Sequence, residues 1–359
     1  MEETEMTQNV ALTRQRLDEL WGSPTTPRLP LNGQRYVIFS DLHLGDGNAA
    51  DDFRDNEEVL KDALNYYQLD NYTAILLGDI EEFWQFDLDN IVARYDATIY
   101  QQLRDLGPGK ALRVYGNHDL EWRGLVDPIT GDTVGYCAPE ALKFVAADDT
   151  PICLLVHGHQ GCLASDKATW FSRFFVRLFS YVEPFFKWSG LYSHKSATKS
   201  QITKKYEQVF YQWARDNHAL IICGHTHRAI FAARVYSEVL KQKIKQLKIQ
   251  NLHPETPTVA IEDNLRRIAE LEEQLDEEKK RGRNIAPLDS EASLRPCYFN
   301  AGCGLYTDGL TAIEIEEDKI RLVKWEAITD ITLRKVYDEG NIYSYYKQTA
   351  DIPEKAKIG

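Results

Sequence analysis

The chain has 359 residues, of which 43% are hydrophobic, and a formal net charge of −13 at pH 7. This length allows a full hydrophobic core, and we expect one domain of roughly 250 residues together with insertions. The acidic balance disfavours general binding to polyanions such as nucleic acids, and no apolar run approaches the roughly 18 residues of a membrane-spanning helix.

The first predicted elements precede the main domain. Residues 10–21 are predicted to form a short helix, and the proline-rich stretch 23–30 a stiff lead-in to the first strand. The N-terminus, Met1-Glu2-Glu3, is acidic rather than basic, unlike a targeting peptide. We therefore assign residues 1–30 to an N-terminal helix and linker, and the domain itself to residues 31–234 and 296–327.

Five apolar runs each end in a cluster of polar residues. Runs of this kind, bounded by glycine, predict strands buried on both faces. The first four are residues 36–40, 74–78, 112–116 and 152–156, and the fifth ends at Gly224. In open α/β sheets the carboxyl ends of such strands carry the functional side chains, so the polar clusters should converge on one crevice. The side chains concerned are Asp41, His43, Asp79, Asn117, His157, His225 and His227.

These seven side chains predict a metal centre. Mixed oxygen and imidazole donors suit Mn²⁺, Fe, Zn²⁺ or Co²⁺, and the lack of cysteine argues against a thiolate zinc site. Seven ligands are too many for one ion with an open position, whereas a bridging aspartate gives two ions four protein ligands each. We therefore expect two divalent metal ions, with Mn²⁺ as the first choice.

Each polar cluster taken alone is also typical of a turn or of a hydrogen-bonded structural histidine. Their coincidence favours the metal site, because six of the nine histidines fall inside the clusters. These six are His43, His118, His157, His159, His225 and His227.

The order D-x-H, G-D, G-N-H-D, H-G-H, G-H-x-H resembles the calcineurin-like metallophosphoesterases. The likeness extends to Asn300-Ala301-Gly302 and covers roughly residues 34–325 with one large interruption. It implies an α/β fold with four layers, αββα, in which two packed mixed sheets are flanked by helices. It also implies the partition of the ligands between the two metal ions: Asp41, His43, Asp79 and His227 for one, and Asp79, Asn117, His157 and His225 for the other.

The expected activity is hydrolysis of a phosphoester or pyrophosphate bond by a hydroxide bound between the two ions. His118 is not needed as a ligand, so it is free to contact the phosphate or to protonate the leaving oxygen. Glu82 matches the family position that orients this histidine, and Asp119 is assigned to the same catalytic group. Alternatively, Glu82 is a solvated carboxylate at a helix start, and Asp119 is a turn residue or a helix cap.

Residues 162–214 are predicted to form a helical cap between the fourth and fifth clusters. Apolar, mostly aromatic residues between 171 and 186 keep helical spacing, and residues 165–206 contain eight Lys or Arg against two acidic residues. One interpretation is an ordinary helix packed on the core with solvated lysines. The other is a lid that receives an apolar tail, in which Lys195, Lys199 and Lys204 contact phosphate and residues 167–205 touch an anionic membrane surface. Asn117 and His159 complete the predicted substrate contacts.

The chain also resembles one subfamily, the UDP-2,3-diacylglucosamine pyrophosphatases of lipid A synthesis. Shared features are D-L-H-L at residues 41–44, a G-D-x-x-E-x-W pattern ending at Trp84, and the basic, aromatic cap. Common members carry Arg where His118 stands and Asp where His159 stands. This resemblance implies a lipid-linked nucleotide substrate and contact with the inner face of the membrane.

Other activities remain alternatives. They are hydrolysis of cyclic nucleotides, nucleotides or phosphoproteins, and a non-catalytic scaffold with the same fold. A nuclease should show a basic groove for the phosphate backbone, and this chain has only the localised cap. The expected partner is therefore a small phosphorylated or lipid-linked nucleotide substrate, with no nucleic acid, and the sequence leaves the oligomeric state open.

Residues 235–295 are predicted to form a second insertion, a helical hairpin. One apolar face lies between residues 239 and 247 and the other between 261 and 275, with a break at 251–257. The charge pattern of 270–283 is typical of a solvated coiled-coil surface. We favour packing of the hairpin on itself over an interaction arm.

Strands are predicted at 297–300, 310–315 and 319–325, and the tail 328–359 should hold one strand or short helix before a disordered end. The six cysteines include no C-x-x-C pair and are predicted to be reduced core residues of a cytoplasmic protein.

Overall fold

Two mixed β-sheets form the centre of the protein. The computed structural model describes residues 2–118, 122, 124–133, 139–160, 197–253, 257–280, 288, 294–329 and 331–350. The strands are β1 Arg28–Pro30, β2 Arg35–Phe39, β3 Thr73–Leu77, β4 Ala111–Val114, β5 Ala141–Val145, β6 Pro151–Val156, β7 Leu220–Cys223, β8 Ala229–Phe231, β9 Arg234–Val235, β10 Tyr298–Ala301, β11 Leu310–Glu316, β12 Lys319–Ile328 and β13 Ile331–Asn341. The α-helices are α1 Glu2–Gly22, α2 Glu57–Leu69, α3 Leu88–Tyr95, α4 Gln101–Asp105, α5 Ala197–Asp216, α6 Tyr236–Asn251, α7 Thr258–Lys280 and α8 Ile342–Ala350.

The strand order places parallel strands at the centre of each sheet. The six-stranded sheet has the order β13-β12-β11-β2-β3-β4, in which β2, β3 and β4 run parallel. The seven-stranded sheet has the order β1-β5-β6-β7-β10-β8-β9, in which β6, β7 and β10 run parallel. Parallel strands leave their carboxyl ends at the same edge of a sheet, which is where the polar clusters follow.

Alternating side chains of the central strands build two cores. Tyr36 and Ile38 of β2 pack into the core between the sheets, whereas Val37 and Phe39 pack on the other side against α2. This alternation follows from the two-residue period of a strand, and it explains why the sequence shows continuous apolar runs. Helices α1 and α5 cover the outer face of the seven-stranded sheet, through residues such as Leu17 and Phe210. The predicted four-layer αββα sandwich is confirmed.

Several predicted boundaries were wrong. The N-terminal helix begins at Glu2, eight residues before its predicted start. Arg28–Pro30 is not merely a lead-in, because it forms the edge strand β1 in parallel register with β5; proline is tolerated at such an edge, where its missing N–H is not needed. The tail contains both a strand and a helix, β13 and α8, rather than one of them. The pairing of β1 depends on a strand more than 100 residues away and leaves little local signal.

Helices α6 and α7 form the predicted hairpin and pack on each other. Leu240 and Ile244 of α6 contact Ile268 and Leu275 of α7 in a small separate core. Leu265 falls within the second predicted apolar face, 261–275, but it is 56% exposed and does not belong to the packed face. Helix α6 ends at Asn251, which accepts a hydrogen bond from Asn264, so little of α6 remains to cover Leu265.

Part of the cap lies outside the described residues. This part, residues 161–196, includes Lys195 and the predicted apolar stripe, and α5 forms the described end of the cap. No helix in the described part of the chain is long and apolar enough to cross a membrane. The described cysteines Cys153, Cys223, Cys297 and Cys303 are buried, and burial raises the pKa of Cys297 to about 12.

Candidate metal centre

The loops after β2, β3, β4, β6 and β7 meet at one edge of the sandwich and join the two sheets. The backbone N–H of Asp41 donates to Gly78 O at 3.0 Å, and that of His43 donates to Asp79 O at 3.0 Å. Across the sheets, the backbone N–H of His225 donates to the Asp41 carboxylate at 2.7 Å. The structure thus brings strand ends that are remote in sequence into one polar site, as the sequence predicted.

Three donor atoms of the site form a compact triangle. His43 Nε2 lies 3.3 Å from His227 Nε2, and Asp41 Oδ1 lies 3.2 Å from His227 Nε2 and 3.9 Å from His43 Nε2. A point equidistant from these three atoms is about 2.0 Å from each, close to the distance at which imidazole and carboxylate donors bind zinc-sized cations. Asp41 Oδ1 is buried and has no hydrogen-bond donor among the described residues, as expected of a metal ligand.

A second group of donor atoms lies beside the first. The ligand atoms of Asp79, His157 and His225 all lie within 4.8 Å of one another, and Asp79 Oδ2 is 3.1 Å from His157 Nε2. Asn117 Oδ1 is buried and is left without a donor by the described residues. These side chains suit a second divalent cation, and Asp79 is the carboxylate predicted to bridge the two.

The backbone at the predicted ligands is strained. Five of the seven have positive φ, a region that costs a residue with a Cβ of order 1–3 kcal/mol. The five and their φ values are Asp41 (52°), His43 (53°), Asp79 (52°), His225 (66°) and His227 (57°). Such strain persists only where the surroundings fix it, and it concentrates at functional sites.

Two glycines allow the close approach of backbone to these carboxylates. A Cβ atom at Gly116 would lie 2.1 Å from Asp79 Oδ1, and one at Gly224 would lie 2.5 Å from Asp41 Oδ2. Both glycines close the strand runs from which the sites were predicted. Any side chain at either position would displace a predicted ligand.

Glu82 connects two histidines of the site. His43 Nδ1 lies 2.7 Å from Glu82 Oε2, and His118 Nδ1 lies 2.8 Å from Glu82 Oε1. The Glu82 carboxylate is buried, so it is not the solvated helix-start residue considered as the alternative. By holding each Nδ1–H, it directs Nε2 of His43 and of His118 into the site. Its contact with His118 was anticipated, and its contact with His43 was not.

Trp84 also belongs to the site rather than to the plain core. Its ring stacks on His118 with centroids 3.9 Å apart, and its indole N–H donates to Asn117 O at 3.2 Å. Sequence reasoning noted this residue only as part of a subfamily pattern. It missed Ser40, whose hydroxyl donates to Asp41 Oδ2 at 2.6 Å, although Ser40 directly precedes the first cluster.

The charges of the site keep its carboxylates ionised. Burial alone would raise the pKa of Asp41 and Glu82, but neighbouring histidines outweigh burial and hold both at about 2. Burial together with the charge of His157 lowers the pKa of His225 to about 4, which leaves a neutral imidazole for a cation. Burial would lower the pKa of His118, but the charges of Asp79 and Glu82 raise it above its ordinary value.

The predicted substrate residues are described in part. His159 is buried, with its ring 5.6 Å from that of His157. Lys199 and Lys204 lie in the first half of α5, but their side chains are outside the described part, as are Asp119 and Lys195 altogether. Their roles remain predictions.

This geometry places two neighbouring groups of candidate metal ligands at the ends of parallel strands. A family model described as calcineurin-like phosphoesterase matches residues 34–229, more than half of the chain. The chain therefore belongs to the calcineurin-like phosphoesterases.

Comparison with solved structures finds neighbours of this chain. The chain is similar to Vacuolar Protein Sorting 29 from Cryptosporidium parvum, with 10% identity and a TM-score of 0.37 over 86% of this chain and 99% of that chain. No curated protein matches the chain.

Proposed function

We propose that this protein is a hydrolase of phosphoric esters or pyrophosphates that works with two divalent cations. The observation that carries the proposal is the pair of adjacent donor groups, Asp41/His43/His227 and Asp79/His157/His225. Their donor types suit several divalent ions, and Mn²⁺ is our first candidate. A scaffold that had lost catalysis should have lost ligands, and all seven predicted ligands are present.

The bound cations would polarise a phosphoryl oxygen and activate water against phosphorus. The protein would contribute the orientation of the donors and a proton at His118. Because His118 Nδ1 is held by Glu82, its Nε2 faces the donors, 4.0 Å from Asp79 Oδ2. A proton on Nε2 is placed to pass to the leaving oxygen when the P–O bond breaks.

The finer proposal concerns the substrate. The D-L-H-L and G-D-x-x-E-x-W patterns and the basic, aromatic cap support a lipid-linked nucleotide resembling a UDP-diacylated sugar. Such a substrate would place its diphosphate at the donor groups and its acyl chains on the cap, at the inner face of a membrane.

Metal-dependent hydrolysis by the full-length chain tests both levels of the proposal. Protein stripped by a chelator should be inactive, and added Mn²⁺ should restore hydrolysis within a panel of aryl phosphates, cyclic nucleotides, nucleotides, phosphopeptides and a UDP-linked acylated sugar. Binding of metal without hydrolysis of any member would contradict the proposed class of enzyme. Hydrolysis of aryl phosphates without cleavage of the UDP-linked sugar would contradict only the finer proposal.

Trp84 should matter for turnover because it holds both His118 and the backbone of Asn117. We expect Trp84→Ala to lower kcat by about 10- to 100-fold, since a small misplacement of a reacting group has effects of this size. Trp84→Phe keeps an aromatic ring beside His118 but loses the indole N–H, so its loss should be smaller.

Trp21 provides the control for the Trp84 variants. It packs edge-on against Trp213, with ring centroids 5.9 Å apart, and contacts none of the donor groups. Trp21→Ala should therefore leave kcat unchanged in steady-state assays with Mn²⁺. Equal losses of kcat in the Trp21 and Trp84 variants would show that Trp84 has no special place in the site.

A further inference from the structure

We infer that Glu207 on helix α5 is a positioning residue for His227, an inference that rests on the proposed function. Glu207 is fully buried. Its Oε1 accepts a hydrogen bond from Thr226 Oγ1 at 2.9 Å, and its Oε2 forms an ion pair with the Arg228 guanidinium. Thr226 and Arg228 flank His227, so one buried carboxylate holds the chain on both sides of a predicted ligand.

The loop that carries His227 needs such a restraint. His225 and His227 both have positive φ, with Thr226 between them. The side chain of His227 is 40% exposed, so packing around the ring does not fix its position. Two strained residues in one short loop keep their conformation only if the surroundings over-determine it.

β10 and the segment after it also contact the loop. Asn300 Nδ2 donates to Gly224 O at 2.7 Å and to Thr226 Oγ1 at 3.1 Å, and Tyr306 OH donates to His227 O at 2.8 Å. The Thr226 hydroxyl therefore accepts from Asn300 and donates to Glu207, which fixes its direction. Glu207 adds a restraint that comes from α5.

The position of Glu207 ties the ligand loop to the cap. Helix α5 is the described end of the cap, and its first half carries the predicted substrate lysines at 199 and 204. A displacement of α5 would reach Thr226 and Arg228 directly through Glu207. The arrangement therefore connects the predicted substrate-binding segment with the Asp41/His43/His227 donor group.

Glu314 offers a matched control for a purely structural role. It is also fully buried, it is paired with Arg334, and it accepts a hydrogen bond from Tyr67 OH at 2.7 Å. Substituting either glutamate leaves a partly buried arginine without its charge partner, which is destabilising at both sites. Only Glu207 contacts the neighbours of a predicted ligand.

Calorimetric titration of the metal-stripped, full-length protein with Mn²⁺ separates the two roles. We expect the unsubstituted protein to bind two ions. Glu207→Gln should weaken one of the two by about 10- to 100-fold, as for other residues that orient metal ligands. Glu314→Gln should lower thermal stability but bind both ions as the unsubstituted protein does.

A second pair of variants serves if Glu207→Gln does not fold. Thr226→Val removes the hydroxyl that donates to Glu207 without leaving a buried charge, and should weaken the same ion by about tenfold. Thr226→Ser keeps the hydroxyl and should bind both ions normally.

The outcomes are distinguishable. If the unsubstituted protein binds no metal, the proposed function is wrong. If it binds two ions and the Glu207 and Thr226 variants bind both within threefold of its affinities, the inference about Glu207 is wrong while the proposed function stands.

Discussion

Asp79→Asn should lower kcat/KM by about 10³-fold in the presence of Mn²⁺. A catalytic metal ion contributes several kcal/mol to the transition state, and each 1.36 kcal/mol is about a tenfold change in rate. Asp79 is 1% exposed, with Oδ1 accepting the backbone N–H of His118 at 2.9 Å and Oδ2 lying 3.1 Å from His157 Nε2. The substitution keeps the size of the side chain and removes the charge predicted to bridge the two cations.

Asp51 is the matched control for Asp79. It is also buried, at 3% exposure, and its carboxylate accepts hydrogen bonds from Tyr95 OH at 2.8 Å and from the backbone of Gly47 and Phe53. Asp51→Asn should change stability but leave Mn²⁺ stoichiometry and kcat/KM within a few-fold. Retention of activity within tenfold by Asp79→Asn, measured at saturating Mn²⁺, would rule out a bridging role.

Arg113→Leu should lower the free energy of unfolding by about 3–5 kcal/mol, because removal of one partner leaves buried charge uncompensated. The Arg113 guanidinium forms two bonds of 2.9 Å to Glu81 and one of 2.8 Å to Asp127. Burial alone would lower the pKa of Arg113, but the charges of Glu81 and Asp127 raise it. Trp122 and Tyr100 also donate to Glu81, at 2.8 and 2.9 Å, so the substitution breaks a closed network.

The effect of Arg113 should extend to the metal centre through the chain. Glu81 lies between Asp79 and Glu82 in the chain. The buried network around Glu81 therefore restrains the loop that carries these two site residues. Chemical denaturation of the metal-free protein measures the loss in free energy of unfolding directly.

Arg14 provides the control for Arg113. It pairs with Asp216 at 2.8 Å on the surface, where both side chains are more than a third exposed, and Arg14→Leu should lower the free energy of unfolding by no more than about 1 kcal/mol. Equal losses in the two variants would contradict the buried-charge argument.

Local patterns were enough to predict the strands that carry the site. The run before Asp79 is buried along its whole length, and it ends in the glycine that the sequence showed. Strand β1 was missed because it exists only through its register with β5, more than 100 residues away. The sequence of β2 also could not show which of its side chains enter which core, since both faces of that strand are buried and apolar.

The contacts that Trp84 and Glu207 make with the site could not be predicted from the sequence. Trp84 and His118 are stacked although they lie in separate loops after β3 and β4. Glu207 is an ordinary glutamate of an amphipathic helix until α5 packs beside the loop at Thr226. Neither residue type nor spacing marks such side chains, because their partners are chosen by the packing of whole elements.

The sequence by itself determined the chemistry available to this protein: which oxygen and imidazole donors are present, and that they follow buried apolar runs. The tertiary structure decided how those donors are combined. His43 and His227 are 184 positions apart, yet their Nε2 atoms lie 3.3 Å from each other. The donor types are covalent properties of single residues, whereas a distance of that kind results from the packing of two sheets and from the buried partners that hold strained loops between them.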